Sequence, residues 1–219
     1  MSACRLVIFD CDGVLVDSEV ITNRVFAEML GELGIHVTLS EMFERFVGRS
    51  MTQCCELIAE LLQRPVPAGF VEQFHSRATA ALGAELKAVA GVEAALDALD
   101  AHGVPYCVAS NGTREKMRLT LGHTGLLARF EGKRFSVDEV ARGKPAPDLF
   151  LLAARTLDVV PARCCVIEDT PTGVTAGVAA GMRVYGYCAL MPAQRMSAAG
   201  AHRTFTSMSE LPALILDDS

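Results

Sequence analysis

The sequence contains no tryptophan, and only 10 of its 219 residues are phenylalanine and 3 are tyrosine. With so few aromatic rings the core must be mainly aliphatic, and stacking surfaces for exposed nucleobases are scarce. An excess of basic residues is also missing, because 20 Lys and Arg are set against 26 Asp and Glu, for a net charge of −6. Since phosphate backbones are bound by clustered cations, nucleic acid is not an expected partner.

Long apolar runs are missing as well. No stretch approaches the roughly 18 consecutive apolar residues needed to cross a membrane. The first apolar run, residues 6–9, ends at Asp10, whereas a secretory signal needs about 7 to 15 such residues. We therefore expect no membrane partner and a cytoplasmic location. None of the eight cysteines forms a C-x-x-C motif, so most are expected to be small buried side chains in a reducing compartment.

Hydrophobic residues make up 51% of the chain and charged residues 21%, a composition typical of a folded protein with a large core. Short apolar runs that predict buried parallel strands lie at 5–9, 104–109, 164–167 and 182–187. Amphipathic helical stretches between them include 92–99 and 150–157. Pro147 and Pro171 are expected in first helical turns and Gly181 at a helix end. The predicted fold class is α/β, a Rossmann-like parallel sheet with helices on both faces.

Residues 20–86 differ from the rest, because they contain no convincing strand and repeat a helical apolar stripe twice. The stripes are Phe26, Met29, Leu30 and Leu33, then Cys54, Leu57, Ile58 and Leu61. We therefore expect an all-helical inserted domain over 17–86 and an α/β core over 1–16 and 87–219. An insertion directly after the first strand would lie over the sheet edge where open α/β folds bind ligands. It is expected to act as a lid with hinges near 15–18 and 86–91.

Acidic residues follow two of the predicted strands, namely Asp10 and Asp12 after the first and Glu168 and Asp169 after the third. Carboxylates about 4 Å apart repel each other by roughly 4 kcal/mol at an effective dielectric near 20. A divalent cation would compensate that repulsion, and oxygen-only ligands favour Mg²⁺. A calcium loop is excluded, because Val14 and Ile21 occupy positions that must supply oxygens. A bare Asp-x-Asp-Gly could also simply cap or turn the chain.

Taken in order, four polar segments of the chain resemble the signature motifs of the haloacid dehalogenase superfamily. They are residues 9–19 (Phe-Asp-Cys-Asp-Gly-Val-Leu-Val-Asp-Ser-Glu), 110–112 (Ser-Asn-Gly), 143–148 (Gly-Lys-Pro-Ala-Pro-Asp) and 168–170 (Glu-Asp-Thr) with Gly173. The resemblance covers the whole chain, including a helical cap after the first motif. It implies a phosphate-transferring enzyme in which an aspartate is the nucleophile.

The resemblance also implies a role for each motif residue. Asp10 would attack phosphorus to form an aspartyl-phosphate, and Asp12 would act as general acid and base, its backbone carbonyl binding the metal. Lys144 would neutralise charge on Asp10 and the phosphoryl group. Asp169 would bind Mg²⁺ directly, and Glu168 would bind it either directly or through a neighbour, so the expected metal ligands are Asp10, Asp12, Glu168 and Asp169.

Phosphate oxygens would be bound by the Ser110 hydroxyl and the Asn111 backbone N–H. The glycine at Gly13 would let the backbone pass close to the ligand. In the expected cap, Arg49 most resembles a substrate-facing residue, and His75 or Arg77 could reach the leaving group, although a solvated surface position explains each of these three at least as well.

The expected substrates are small phosphate monoesters, particularly sugar phosphates such as 6-phosphogluconate, and the expected state is a monomer. One alternative is a phosphomutase of the β-phosphoglucomutase type, but such enzymes carry a cap histidine where spacing from the nucleophile gives Thr22. A dehalogenase would lack the acid at Asp12. A protein that only binds a phosphorylated ligand remains a lesser alternative, which loss of a motif residue would favour, and none is missing.

Overall fold

The computed structural model describes residues 4–47, 49 and 51–217. Six strands in this part of the chain form one sheet: β1 (Leu6–Phe9), β2 (Tyr106–Ser110), β3 (Arg134–Ser136), β4 (Cys164–Glu168), β5 (Arg183–Tyr187) and β6 (Arg203–Phe205). The strand order is β3-β2-β1-β4-β5-β6 and every neighbouring pair is parallel. The α/β prediction with a parallel sheet is confirmed.

Five helices follow one another between β1 and β2, and otherwise the helices of the described residues alternate with these strands. They are α1 (Ser18–Glu32), α2 (Leu39–Arg45), α3 (Met51–Leu62), α4 (Phe70–Glu85), α5 (Val92–Ala101), α6 (Arg114–His123), α7 (Asp148–Thr156), α8 (Pro171–Ala179), α9 (Ala193–Ala198) and α10 (Leu211–Asp217). None of them is both long and apolar enough to span a membrane.

The order of the strands reverses between β1 and β4. The chain moves outward from β1 to β3 and then returns to the other side of β1 for β4, β5 and β6. Because crossovers between parallel strands are right-handed, the helices before and after this return lie on opposite faces of the sheet. A reversal of this kind leaves a crevice at the carboxyl ends of the two central strands. The residues that follow β1 and β4 therefore meet there.

The central strands follow from their sequences, because every residue of β1, β2 and β4 is buried. The run predicted at 104–109 becomes a strand only from Tyr106, since Val104 and Pro105 lie between the preceding turn and the strand and have no regular structure. The edge strands β3 and β6 were not predicted. Each is three residues long and begins with an arginine, so neither shows an apolar run.

Proline and glycine mark helix ends in the carboxyl-terminal half of the chain. Pro171 is the first residue of α8, while Pro147 lies one position before α7. Gly181 has a φ of +73°, and its N–H donates to the Val178 carbonyl oxygen at 2.9 Å. The next N–H, from Met182, donates to the carbonyl oxygen of Gly177 at 3.1 Å. This is a Schellman ending, which requires the left-handed conformation that glycine accepts.

The chain divides into two compact units, one formed by residues up to Asp17 and from Lys87 onward, and the other by Ser18–Leu86. In the second unit, here called the helical unit, Phe26 contacts the rings of Phe46, Phe70 and Phe74 with centroids 5.0 to 5.8 Å apart. Both predicted stripes contribute to this core, with one correction at Leu61.

Leu61 was predicted on the buried stripe of α3, but it is 38% exposed. The next residue, Leu62, packs against the core in its place. The stripe therefore continues from Ile58 by four positions instead of three, and both spacings lie on one face of a helix.

The first unit is here called the core unit. Its two segments that lead into and out of the helical unit pair with each other. Val16 and Ala88 form an antiparallel bridge, and the Asp17 N–H donates to the Lys87 carbonyl oxygen at 3.0 Å. The Lys87 N–H in turn donates to Asp17 Oδ1 at 2.9 Å. The chain thus leaves and re-enters the core unit at neighbouring positions.

Candidate active site

A buried lysine joins two carboxylates at the ends of β1 and β4. Lys144 Nζ lies 2.5 Å from Asp10 Oδ1 and 2.6 Å from Glu168 Oε1. All three residues are at most 9% exposed. Asp10 is fixed to the sheet, because its N–H donates to the Ile167 carbonyl oxygen at 2.9 Å. The crevice between the central strands therefore contains one cation shared by two anions.

The ionisation of this group follows from its burial. Burial, and to a lesser extent the nearby Glu168 and Asp12 carboxylates, raise the pKa of Asp10, and although Lys144 opposes the rise the pKa is about 7. For Lys144, burial alone would lower the pKa, but the Asp10 and Glu168 carboxylates outweigh it and hold the pKa above its usual range. Lys144 is thus protonated at neutral pH, and Asp10 needs more positive charge nearby to be fully ionised.

Lys144 is held in place by the second motif. The Asn111 side chain accepts a hydrogen bond from the Lys144 N–H at 2.8 Å and donates one to the Lys144 carbonyl oxygen at 3.1 Å. The preceding Gly143 approaches so closely that a Cβ there would lie 2.7 Å from Asn111 Oδ1. The Lys144 ammonium also lies 4.7 Å from the centre of the Phe150 ring. Asn111 therefore fixes the loop that carries the lysine.

Glu168 is anchored on its other oxygen. Oε2 accepts hydrogen bonds from the Thr170 N–H at 3.1 Å and from the Thr170 hydroxyl at 2.9 Å. Gly173, in the first turn of α8, lies directly against this carboxylate, and a Cβ at Gly173 would be 1.8 Å from Glu168 Oε1. The motif glycine thus makes room for the Glu168 carboxyl group.

Three acids of the core unit could hold a cation. One oxygen from each of Asp10, Glu168 and Asp169 lies within 4.8 Å of the others. An all-oxygen set of this kind suits Mg²⁺, and a cation there would oppose the effect of burial, which is the main cause of the raised pKa of Asp10. Because both Glu168 oxygens already accept hydrogen bonds, Asp10 and Asp169 are better placed to contact a cation directly. The residues present fit a divalent ion.

Asp12 turns away from this group toward α6. Its Oδ2 lies 2.7 Å from Lys116 Nζ, and the two side chains are 17% and 46% exposed. The backbone turns back here at Gly13, which has a φ of +80° and whose N–H donates to the Val16 carbonyl oxygen at 2.8 Å. Ser110 is buried, and its Oγ accepts from the Gly112 N–H at 3.0 Å.

Lys116 is a site residue that the motifs do not indicate. It lies in the first turn of α6, where a cation opposes the helix dipole, and that unfavourable placement is the one signal in the sequence that could have pointed to it. The core unit thus brings together Asp10, Asp12, Lys144, Glu168 and Asp169. Ser110 and Asn111 lie at the end of the adjacent strand β2.

The remaining predicted residues lie in the helical unit. Arg49 Nε donates to the Arg45 carbonyl oxygen at 2.7 Å, whereas the two residues that flank it in the sequence, 48 and 50, lie outside the described part of the chain. Arg49 lines a cleft of about 220 Å³ together with Glu19, Thr22 and Asn23.

The other two substrate-facing candidates have contacts within the helical unit. Arg77 Nη1 pairs with Glu32 Oε1 at 2.5 Å, and the His75 ring lies 5.7 Å from that of Phe74. Thr22, at the position of the mutase histidine, donates its hydroxyl to the Ser18 carbonyl oxygen at 3.0 Å.

Comparison with known proteins identifies the family. A family model described as a haloacid dehalogenase-like hydrolase matches residues 4–181. The chain belongs to this family. The hydrolase is 37% identical over 217 residues to 6-phosphogluconate phosphatase from Escherichia coli, a match that covers 98% of this chain and 96% of that protein.

Two solved structures resemble this hydrolase along almost its full length. A haloacid dehalogenase-like protein from Agrobacterium tumefaciens is 34% identical with a TM-score of 0.93, covering 99% of each chain. A hydrolase from Deinococcus radiodurans, solved with bound phosphate and sodium, is 36% identical with a TM-score of 0.88, covering 99% of this chain and 97% of that one.

Proposed function

We propose that this hydrolase is a Mg²⁺-dependent phosphatase that cleaves small phosphate monoesters, with sugar phosphates and 6-phosphogluconate in particular as substrates. The observation that carries the proposal is the contact of Lys144 with both Asp10 and Glu168 at the switch point of the sheet. This contact gives a carboxylate nucleophile a buried cation, which cancels part of the repulsion between Asp10 and a phosphate dianion.

In the proposed reaction, an Asp10 oxygen bonds to phosphorus while the bond from phosphorus to the ester oxygen breaks. Asp12 gives its proton to the departing oxygen, so that a neutral alcohol leaves. Water then attacks the aspartyl-phosphate and gives a proton to Asp12, the bond between phosphorus and Asp10 breaks, and inorganic phosphate is released. Asp12 ends protonated and ready for another cycle.

The other residues of the core unit would bind the phosphoryl group. Ser110 and the backbone N–H of Asn111 lie at the carboxyl end of β2, where neutral donors suit phosphate oxygens. Lys144 would stay charged throughout, because the carboxylates around it hold its pKa above the usual range. Gly13 would let the backbone after Asp12 pass close to the ligand.

The proposed metal ligands are the side chains of Asp10 and Asp169 and the backbone carbonyl of Asp12. Glu168 is proposed to hold Lys144 and not to contact the metal, because both of its oxygens accept hydrogen bonds. When bound, Mg²⁺ supplies the positive charge that lets Asp10 stay ionised beside a phosphate dianion.

The proposed substrate class rests on the relatives. The Escherichia coli relative is named for its action on 6-phosphogluconate, and the Deinococcus radiodurans relative was solved with phosphate bound. We further propose that the helical unit is the cap of the enzyme, that it supplies the contacts to the leaving group, and that Arg49 is one of them.

The experiment is phosphate release from 6-phosphogluconate, hexose phosphates, phosphoglycolate and p-nitrophenyl phosphate, each with Mg²⁺ and with EDTA. We expect Mg²⁺-dependent turnover that is highest for a sugar phosphate and falls at least 1,000-fold in Asp10→Asn. The matched control is Asp158→Asn, which makes the same change on the loop leading into β4, at a left-handed position that asparagine accepts (φ 54°).

Retention of more than a few per cent of turnover in Asp10→Asn would contradict the assignment of the nucleophile. Equal rates with Mg²⁺ and EDTA would contradict the metal site. A further arm uses glucose 1-phosphate with a bisphosphate primer, for which Thr22 predicts free phosphate or no reaction. Efficient isomerisation to glucose 6-phosphate would instead indicate a mutase.

A further inference from the structure

We propose that Lys116 is a positioning residue that holds the Asp12 carboxyl group at the β2 side of the crevice, where the leaving oxygen is protonated. The inference rests on the proposed function and adds a residue to it. Lys116 belongs to none of the four motifs, and its contact with Asp12 joins residues 104 positions apart in the chain.

The contact is specific in its geometry. Lys116 Nζ lies 2.7 Å from Asp12 Oδ2, and its stem crosses Gly112 on the way. A Cβ at Gly112 would lie 3.4 Å from Lys116 Cδ, 3.2 Å from Ser110 Oγ and 3.7 Å from Asp12 Oδ2. The absence of a side chain at Gly112 therefore leaves a passage between the helix and the crevice, and Lys116 occupies it.

The backbone of Lys116 is hydrogen-bonded to side chains on both sides of its Cα. Its N–H donates to the hydroxyl of Thr113, the N-cap of α6, at 3.2 Å, and its carbonyl oxygen accepts from the Thr120 hydroxyl at 3.1 Å. A long side chain loses less freedom on forming a contact when its attachment point is already rigid. The side chain that carries the ammonium group to Asp12 thus starts from a fixed position.

The core unit gives each of its two neighbouring aspartates a different lysine. Lys144 binds Asp10 together with Glu168, and Lys116 binds Asp12. Asp10 and Asp12 are only two residues apart, and Asp12 is ionised between giving its proton to the leaving oxygen and taking one from water. In that state an Asp12 without its own cation would compete with Asp10 for Lys144. Lys116 keeps the proton donor separate from the nucleophile.

This separation has a consequence that depends on the leaving group. A sugar alkoxide is a poor leaving group and needs the Asp12 proton at hydrogen-bond distance. In contrast, p-nitrophenolate leaves readily without a proton. A displaced Asp12 should therefore slow formation of the aspartyl-phosphate from a sugar phosphate, but not from p-nitrophenyl phosphate.

The test is Lys116→Met, which keeps the stem over Gly112 and removes the charge. With enzyme in excess over substrate and Mg²⁺ present, rapid-quench measurements follow the first release of alcohol from each ester. We expect the rate with 6-phosphogluconate to fall about 10-fold and the rate with p-nitrophenyl phosphate to stay within 2-fold. Lys116→Arg should restore the sugar-phosphate rate to within 3-fold of the wild type.

The matched control is Arg118→Met on the same helix, which removes the same charge. Arg118 pairs with Glu115 at 2.8 Å on an exposed face, so both rates should stay unchanged. If Lys116 acts through Asp12, adding Lys116→Met to Asp12→Asn should lower the rate with 6-phosphogluconate by no more than a further 2-fold.

Three results would each overturn the positioning role. The rates with the two esters could fall equally in Lys116→Met, or both could stay unchanged. The effects of Lys116→Met and Asp12→Asn on the rate could also add fully in the double variant. These results are distinguishable from failure of the proposed function. In that case the wild-type enzyme would release no phosphate from any ester, or Asp10→Asn would be as active as the wild type.

Discussion

Asp10 combines two properties that conflict in a simple carboxylate, because it is almost fully buried and, as the proposed nucleophile, it must be negatively charged. Lys144 resolves part of the conflict through a contact of 2.5 Å. The remaining part is visible in its pKa, which burial raises to about 7. At the scale of one residue, the proposed Mg²⁺ would therefore supply positive charge that Asp10 lacks.

This deficit predicts a pH dependence of stability in the protein without metal. The folded state binds the Asp10 proton more tightly than the unfolded chain, whose carboxyl pKa is near 3.8. The stability that this proton contributes is thus fully present below the lower pKa and is lost as the pH rises toward about 7. Asp10→Asn removes this dependence. The free energy of unfolding of the variant, measured relative to that of the wild type, should therefore rise by about 1–3 kcal/mol between pH 5 and pH 8.

Urea unfolding in EDTA at both pH values measures this difference. Saturating Mg²⁺ should reduce it for the wild type, because a bound cation lowers the pKa of a carboxylate. Parallel stability profiles of the two proteins from pH 5 to pH 8 would show that Asp10 is already ionised without metal.

Some contacts of the site can be predicted from the sequence and others cannot. The spacing of acids after two strands predicted that Asp10, Glu168 and Asp169 would meet, because parallel strands end at one edge of the sheet. The Lys116 contact with Asp12 has no such rule behind it, since it depends on one glycine leaving space for one side chain. The bracing of Lys144 by the Asn111 amide was missed for the same reason, as only the Asn111 backbone was assigned a role.

At the scale of elements, only the strands that are buried could be predicted from the sequence. The central strands are covered on both faces and read as apolar runs, whereas β3 and β6 lie at the edges and contain Arg134, Ser136, Arg203 and Thr204. An edge strand needs only one neighbour for its hydrogen bonds, so its side chains are less constrained. Apolar runs therefore predict the inner strands of the sheet but not its two edge strands.

The packing of α8 against β4 gives a prediction about Gly173. Alanine is the better helix former, but its Cβ would lie 1.8 Å from Glu168 Oε1 and would push the carboxylate off Lys144. We expect Gly173→Ala to destabilise the protein by roughly 1–3 kcal/mol and to lower kcat for p-nitrophenyl phosphate at least 10-fold. Urea unfolding and steady-state kinetics measure the two effects.

The matched control is Gly83→Ala in α4, where a Cβ would meet no atom of the described residues within 4 Å. That change should stabilise the protein by about 0.5–1 kcal/mol, because it only removes backbone freedom from the unfolded chain. A Gly173→Ala enzyme with normal stability and kcat would mean that the Glu168 carboxyl group has room to move.

At the scale of the whole molecule, the residues proposed for phosphoryl transfer all belong to the core unit, and the residues proposed for the leaving group belong to the helical unit. Each unit has its own hydrophobic core, and the two are joined by segments that pair at Val16 and Ala88. The order of the chain predicts this division, since the helical unit is a continuous insertion. It does not predict that Asp17 and Lys87 would be hydrogen-bonded neighbours.

That pairing predicts that the core unit can be closed without the insertion. Because Asp17 and Lys87 are antiparallel neighbours, an Asn-Gly turn can replace residues 18–86 and join them as a two-residue hairpin. The shortened protein keeps Asp10, Lys144 and Glu168, so we expect one cooperative urea transition whose midpoint still rises with Mg²⁺. Turnover of 6-phosphogluconate should fall at least 100-fold, because the proposed leaving-group contacts are gone. A broad transition that Mg²⁺ does not move would show instead that the acidic site needs the helical unit in order to form.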